Sequence, residues 1–483
     1  MRPELRNGIA AALTLAIGMG AGTARADGVT DGNQGREALL AGNLDEAIRL
    51  FGRALKDGGM TAKNQAVTLN LRANAYMEKG QTEVALEDAN ESLRLTETPD
   101  AHFTRAKIFV AQMHFDDAVQ ELNRTLQMGS QAADVWAMRG HAQVYAGRPQ
   151  DGLKDLDQAL KLAPDYGFAL RTRGHAFLNL NQDDKAIADE TRAIAVDPKD
   201  VEARWLRAYA WRYRKKLPLK AIADYSDALR VAPTDSAART SRAETYEQLG
   251  RFGEAAADYD VAIRQNPRGP AGYLGRGRLN LAQGKAGAAG ADLAKAVGLK
   301  PADGYAVLWL HLARGKEGAD DAVEFKANAA RVDRGQWPGP VLDYFGGKLD
   351  ALTLLTMASE GERKNRQLCE TNLFLGQDDL AQRRRAQGLE RMQAAAQVCD
   401  AASPEARLIR TDLKRAATPD KPVLTQAADR STSSRSKGLV QAQNEAQDEI
   451  PGLPSAALRR KPHAHPRPAP RKDVDPLLRG SLK

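Results

Sequence analysis

Prolines fall at Pro164, Pro198, Pro233, Pro267 and Pro301, separated by 34, 35, 34 and 34 residues. A fixed period in this range is the mark of a solenoid, in which one supersecondary unit stacks on the next. Each proline ends a helix, because it lacks an N–H and its ring clashes with the preceding turn. At 483 residues the chain exceeds what one hydrophobic core normally organises, so a repeat array or several domains is required. Ala, Leu and Arg are abundant, and runs of Val, Ile and Thr with period two are absent. The expected fold class is all-α.

A second pattern recurs inside each period. In the clearest unit Ala243, Tyr246 and Gly250 are followed by Ala255, Tyr259 and Ala262 before Pro267. The first segment reads as helix A, Gly250 as the turn, and the second segment as helix B. Small residues at Ala243 and Ala255 let the two helices approach, and the tyrosines fill the space beside them. The frame also fits Gly174, Phe177, Ala186 and Ala193; Trp136, Gly140, Gly147, Gly152, Leu156 and Ala159; and Gly277, Gly284, Ala289, Leu293 and Ala296. Weaker units in register begin at Gly35, Ala73 and Ala106. The unit with Trp205, Ala208, Ala221, Tyr225 and Ala228 carries one extra residue, expected in its turn around Leu217-Pro218.

These residues resemble the tetratricopeptide repeat (TPR), over about residues 30 to 303. The pentatricopeptide repeat, an RNA-binding family, has a similar period, but the small/aromatic/small order favours TPR. The resemblance implies a right-handed superhelix of about eight repeats that binds proteins and is not an enzyme. It also implies a concave face lined by helix A, at three residues before and one after the small residue. Those places are Phe103 and Lys107, Ala137 and His141, Arg171 and His175, Trp205 and Tyr209, Thr240 and Glu244, Leu274 and Arg278. Arg171, His175, Trp205, Tyr209, Arg212 and Tyr213 form a candidate partner-binding patch for an extended or helical segment with some negative charge. Aromatic residues and arginine are the usual hot-spot types. The alternative is that Trp205 or Tyr209 packs in the core. The Lys/Asn set that grips a C-terminal carboxylate in some TPR domains is not reproduced.

The N-terminus reads as an export signal: Arg2 and Arg6, an uncharged apolar stretch from Ile9 to Gly22, and Ala24-Arg25-Ala26 as cleavage pattern. Residues 1–26 are therefore expected to be a signal peptide cleaved after Ala26, with an uncleaved anchor as the alternative. No cysteine lies near the cleavage point, so a lipid anchor is not expected. The location implied is periplasmic, which separates the protein from cellular nucleic acid.

Beyond the array at 28–303, residues 304–415 read as a helical cap. Tyr305 to Arg314 and Asp320 to Arg334 read as helices, followed by Trp337-Pro338 and by Cys369-Glu370-Thr371-Asn372-Leu373-Phe374-Leu375-Gly376. This stretch is similar to the C-terminal part of the NlpI family of envelope TPR lipoproteins. That resemblance implies partners in the cell envelope, among them peptidoglycan hydrolases or proteases. Gly376, Gly388, Met392 and Ala395 keep the repeat spacing, so a last degenerate hairpin is expected there. Cys369 would start its first helix and Cys399 would end its second, at the same open end and within bridging distance. Closing a loop of that size stabilises by about 3–4 kcal/mol in the chain-entropy view. The alternative is two free thiols.

Residues 416–483 read as a disordered tail, proline-rich and basic from 451 onward with Arg459, Arg460, Lys461, His463, His465, Arg467, Arg471 and Lys472. Its charge suggests peripheral contact with an anionic surface, or only a solubilising role. No nucleophile, metal or phosphate motif appears. Gly275-Arg276-Gly277 is better explained by helix packing, and no cofactor or metal is expected. The leading expectation is a periplasmic scaffold binding envelope proteins through its concave face. The alternative is a cell-wall or anionic-surface binder acting through the tail.

Overall fold

The computed structural model describes residues 26–57 and 59–417. The cleaved-signal expectation and the basic tail lie almost wholly outside the described residues. Every described element is helical.

Eight hairpins follow one another up to Leu299. Their first helices are α1 (Ala26–Leu40), α3 (Ala62–Glu78), α5 (Pro99–Ala111), α7 (Ala133–Tyr145), α9 (Gly167–Asn179), α11 (Val201–Tyr209, continued by a π turn over Ala210–Arg214), α13 (Ser236–Gln248) and α15 (Pro270–Ala282). Their second helices are α2 (Leu44–Lys56), α4 (Thr82–Leu95), α6 (Phe115–Gln127), α8 (Pro149–Leu162), α10 (Asp183–Val196), α12 (Pro218–Val231), α14 (Phe252–Gln265) and α16 (Ala286–Leu299). This is the all-α solenoid that the proline period predicts.

Small residues set the hairpin geometry. A Cβ placed on Gly140 of α7 would lie 2.9 Å from the carbonyl oxygen of Gly152 on α8, so only glycine lets these backbones meet. Leu156 then fills the space beneath Gly140, as Leu293 does beneath Gly277. Each hairpin turns through three residues whose middle member is left-handed: Gly42, Gly80, Met113, Gly147, Asn181, Lys216, Gly250 and Gly284. Glycine adopts that conformation without steric cost, which explains its frequency here.

The extra residue of the sixth unit is not in its turn. Lys215–Leu217 has the same three-residue form as the other turns. The insertion is absorbed one turn earlier, as the π turn at Ala210–Arg214. A π turn accommodates one residue more than an α turn without leaving the helix.

An arginine stands immediately before the small residue of helix A in seven consecutive hairpins: Arg72, Arg105, Arg139, Arg173, Arg207, Arg242 and Arg276. Six of them hold an aspartate of helix B with two nitrogens, as Arg173 holds Asp189 at 2.7 and 2.8 Å. Arg105 holds Glu121 instead. In six hairpins a further nitrogen reaches helix B of the preceding unit, as Arg173 reaches Asp157 at 2.7 Å. Guanidinium groups present donors in a planar fork, so one side chain ties two hairpins together.

After Leu299 the regularity ends. The cap comprises α17 (Gly304–Glu317), α18 (Ala322–Ala329), α19 (Gly339–Phe345), α20 (Ala351–Ala358), α21 (Lys364–Ala381), α22 (Arg385–Val398) and α23 (Pro404–Ala417). The helix expected over Asp320 to Arg334 is shorter than its pattern suggests. It ends by Ala330, and the Asp333 carboxylate accepts from the backbone of Gly335, which turns the chain. The largest core cluster runs from α16 through α17 into the cap, around buried Trp309 and Phe374. Helices α21 and α22 form a ninth hairpin with Gly376 and Gly388 back to back, as in the fourth. Cys369 and Cys399 are joined by a disulfide at its open end, with Cα atoms 4.9 Å apart.

Candidate partner-binding groove

Helix A of one hairpin packs on helix A of the next along the array, and at the step from α11 to α13 Arg212 of the π turn donates to the Ser241 carbonyl oxygen and to Glu244. Successive B helices stand farther apart. The A helices therefore form the inner, concave row and the B helices the outer one. The first turns of several A helices are fixed by side-chain caps, as Asp200 accepts from the backbone N–H of Glu202 and Ala203 at 3.0 Å.

The candidate patch falls on this inner row, but its members differ in what they offer. Arg171 is 7% exposed and donates to Asp200 at 2.5 Å, with Glu202 at 3.4 Å. His175 is buried, and its ring lies 5.1 Å from that of Tyr145. Arg212 is buried, donates to Glu244 at 2.9 Å and stands 4.5 Å over the Tyr213 ring. Trp205 and Tyr209 are half-buried and stacked at 5.9 Å, and Trp205 also packs on two core clusters. Tyr213 is the exposed end of the row, 4.8 Å from Tyr209. The residues of the patch that reach the groove surface are thus Trp205, Tyr209 and Tyr213. Arg171, His175 and Arg212 lie behind it and fix neighbouring hairpins to one another.

Both sides of this aromatic row are polar. Toward the N-terminus, His141 lies 4.4 Å from Tyr145 and 5.2 Å from Phe168. Burial pulls the His141 imidazole down to about 3 and that of His175 to about 4, so both are neutral at physiological pH. One hairpin earlier, Lys107 is buried under Phe103 and donates to Asn74 at 2.6 Å. Burial lowers its ammonium to about 8, against the pull of Asp134, Glu78 and Asp100. Toward the C-terminus, Glu244 meets Arg212 and, at 3.6 Å, Arg278. The Arg212–Glu244 pair joins the π turn at the end of α11 to α13.

Glu190 is a residue that repeat-pattern reasoning did not single out. It occupies the place of Leu156 and Leu293, beneath Gly174, is fully buried, and neither carboxylate oxygen has a hydrogen-bond partner. Burial holds its carboxyl well above the ordinary value.

The cap contains a cavity of about 770 Å³ between α17, α18 and α21, lined by His311, Phe325, Phe345, Lys316 and Asp378 among others. Much of its charge is paired, as in His311–Asp321, Arg334–Asp343 and Lys316–Asp412. Among the described residues no cluster of three metal-binding side chains exists, and no helix is long and apolar enough to cross a membrane. Gly275 and Gly277 are packing positions: a Cβ at either would strike Tyr259 or Leu293.

Paired helices stacked with small residues at the crossings and an inner row of ligand-facing side chains define a TPR superhelix. The tetratricopeptide repeat family model matches residues 70–133, 137–195, 171–238, 212–270 and 240–304, so the chain carries tetratricopeptide repeats. A curated relative, U-box domain-containing protein 70 of Oryza sativa subsp. japonica, is 22% identical over 166 residues. That match covers 34% of this chain and only 19% of the rice protein. Among solved structures, a tetratricopeptide repeat protein from Parabacteroides merdae is similar with 20% identity and a TM-score of 0.42, covering 52% of this chain and 98% of that one. PilF of Pseudomonas aeruginosa is similar with 16% identity and a TM-score of 0.38, covering 43% of this chain and 95% of that one.

Proposed function

We propose that the protein is a periplasmic scaffold that holds envelope proteins together through the concave face of its array. The observation that carries this reading is the row of half-buried Trp205 and Tyr209 and exposed Tyr213 in the inner groove, backed by fixed charges. Aromatic rings offer large contact area at small entropic cost, and the ion pairs behind them keep the row in place before a ligand arrives. The export-like N-terminus supports an envelope location, with the mature chain beginning after Ala26. The division into signal peptide (1–26), array (28–303), cap (304–415) and tail (416–483) belongs to the same reading. The NlpI-like motif of the cap supports peptidoglycan hydrolases or proteases as partners. The test is a pull-down from envelope extract with the full mature chain and with its Tyr209→Ala/Tyr213→Ala variant. Specific proteins captured by the first and lost from the second are expected. Capture that is identical for both would overturn the assignment to this row.

The basic run from Arg459 to Lys472 favours a second reading, attachment to anionic envelope polymers. It predicts salt-sensitive sedimentation with peptidoglycan or anionic vesicles. Binding that survives removal of residues 451–483 would refute it.

A further inference from the structure

The C-terminal end of the groove is not empty. Helix α23 lies in it, across α15 and against α21 and α22. Arg407 of α23 meets Glu247 at 2.5 Å, and both side chains are less than a tenth exposed. Glu247 is an inner-face residue of α13, one turn after Ala243. Farther along α23, Asp412 accepts from Lys316 of α17 at 2.9 Å and from Gln377 of α21 at 2.8 Å. Between these two ion pairs Leu408 and Ile409 are buried. They join the core cluster that also contains Leu274 and Leu312, the inner-face residues of α15 and α17. The helix therefore binds through both of its ends and one apolar face, on residues that in the earlier hairpins face the open groove.

We propose that this end of the groove is a receptor for an amphipathic helix, and that α23 is its intramolecular occupant. The partner that fits carries an arginine, two adjacent aliphatic residues directly after it, and an acid five residues beyond the arginine. Glu247 receives the arginine, the Leu274/Leu312 surface the aliphatic pair, and Lys316 the acid. A tethered helix occupies its site at high effective concentration, so an outside helix enters only where α23 is weakened or outcompeted. The groove is thus divided: an open aromatic stretch around Tyr209 and a closed helix seat beyond Glu244. This inference rests on the scaffold reading for its biological meaning but not for its test, which needs no outside protein.

The probe is a fluorescent peptide of residues 404–417, titrated by anisotropy against the full mature chain. Leu408→Asp/Ile409→Asp is expected to free the seat and to bind the peptide at least tenfold tighter than the wild type. Arg407→Glu keeps the aliphatic face and places like charges together at Glu247. It is also expected to bind the peptide more tightly than the wild type does. A peptide carrying R407E should bind neither variant, and adding Glu247→Arg to the Arg407→Glu chain restores the complementary pair, so its own helix should close the seat again and return peptide binding to the wild-type level. Equal affinity for wild type and variants, or no binding by variants with wild-type circular dichroism, would overturn the proposal. If the double aspartate variant does not fold, the Arg407→Glu and charge-swap titrations decide the matter. A failed envelope pull-down would leave this result standing, and a failed peptide titration would leave the pull-down standing.

Discussion

Arg139 and Asp155 lie on the two helices of one hairpin, and the guanidinium meets both carboxylate oxygens at 2.7 Å. Its remaining nitrogen donates to Asn123 of the preceding hairpin at 2.8 Å. The same residue therefore closes its own unit and welds it to the one before. Removing the arginine leaves Asp155, 5% exposed, without its partner. Arg139→Ala should cost about 2–3 kcal/mol, the range for a lost charge-assisted bond to a buried acid. Chemical denaturation checks this, and a loss below about 0.5 kcal/mol would show that the ladder is ornamental.

The left-handed turn residues make a second set of predictions. Met113 and Lys216 sit at φ of 62° and 55°, where a side chain costs about 1 kcal/mol relative to glycine. Met113→Gly and Lys216→Gly should therefore each raise stability by up to about 1 kcal/mol, visible as a higher melting temperature. Gly250→Ala should lower it by a similar amount, since Gly250 has φ of 72° and no neighbour that a methyl group would touch.

Glu190→Leu should stabilise the array by about 1–3 kcal/mol at neutral pH, because it replaces an unpartnered buried carboxyl with the residue found at equivalent places. The wild-type carboxyl has a raised folded pKa, so its contribution to stability is present at low pH and is lost as pH rises above the unfolded value. The gain from the leucine should accordingly grow with pH. A gain that is flat between pH 4 and pH 8 would contradict the buried, protonated state.

His141 and His175 titrate in the opposite sense. Their folded values of about 3 and about 4 lie below the ordinary 6.5, so the unfolded chain binds more protons between pH 4 and pH 6.5. The histidines thus make stability rise with pH in that window, by at most about 1.4 kcal/mol per unit for each one. Replacing His175 with phenylalanine should reduce that slope. An unchanged slope in urea titrations at pH 4.5, 5.5 and 6.5 would disprove the neutral, buried assignment.

Reduction of Cys369–Cys399 should lower the stability of the cap by about 3 kcal/mol, because the bridge spans 30 residues. Hydrogen exchange should quicken in α21 and α22 and remain unchanged in α3 to α8. Uniform quickening would mean that cap and array unfold as one unit.

The period, the helix pairs and the cysteine pairing were legible in the chain because they follow from sterics: proline ends helices, and small residues mark close crossings. The placement of the extra residue near Ala210 was not, since a π turn and a longer loop give the same spacing. The face of Arg171, His175 and Arg212 was readable, but not their burial. Burial depends on how tightly one A helix closes on the next, and no repeat contains that information by itself. The arginine before each small residue recurs in every unit from Arg72 onward, with its acid 16 or 17 residues later, but arginines and acids are common on any solvated helix face, so the spacing alone does not distinguish a buried ladder from surface charge. The seating of α23 joins residues far apart in sequence, such as Glu247 and Arg407, and no local pattern signals it.

The π turn at Ala210–Arg214, the only one among the described residues, makes the array a screw with a fault in its thread. Units on either side keep the common three-residue turn, and between them Arg212 ties the inner helices together through Glu244 and the Ser241 carbonyl oxygen. The helix there carries one residue more per turn than its neighbours, so the inner side chains after it are set at a different angle from those before it. Tyr213 stands at that fault, and a ligand lying along the aromatic row would splint it.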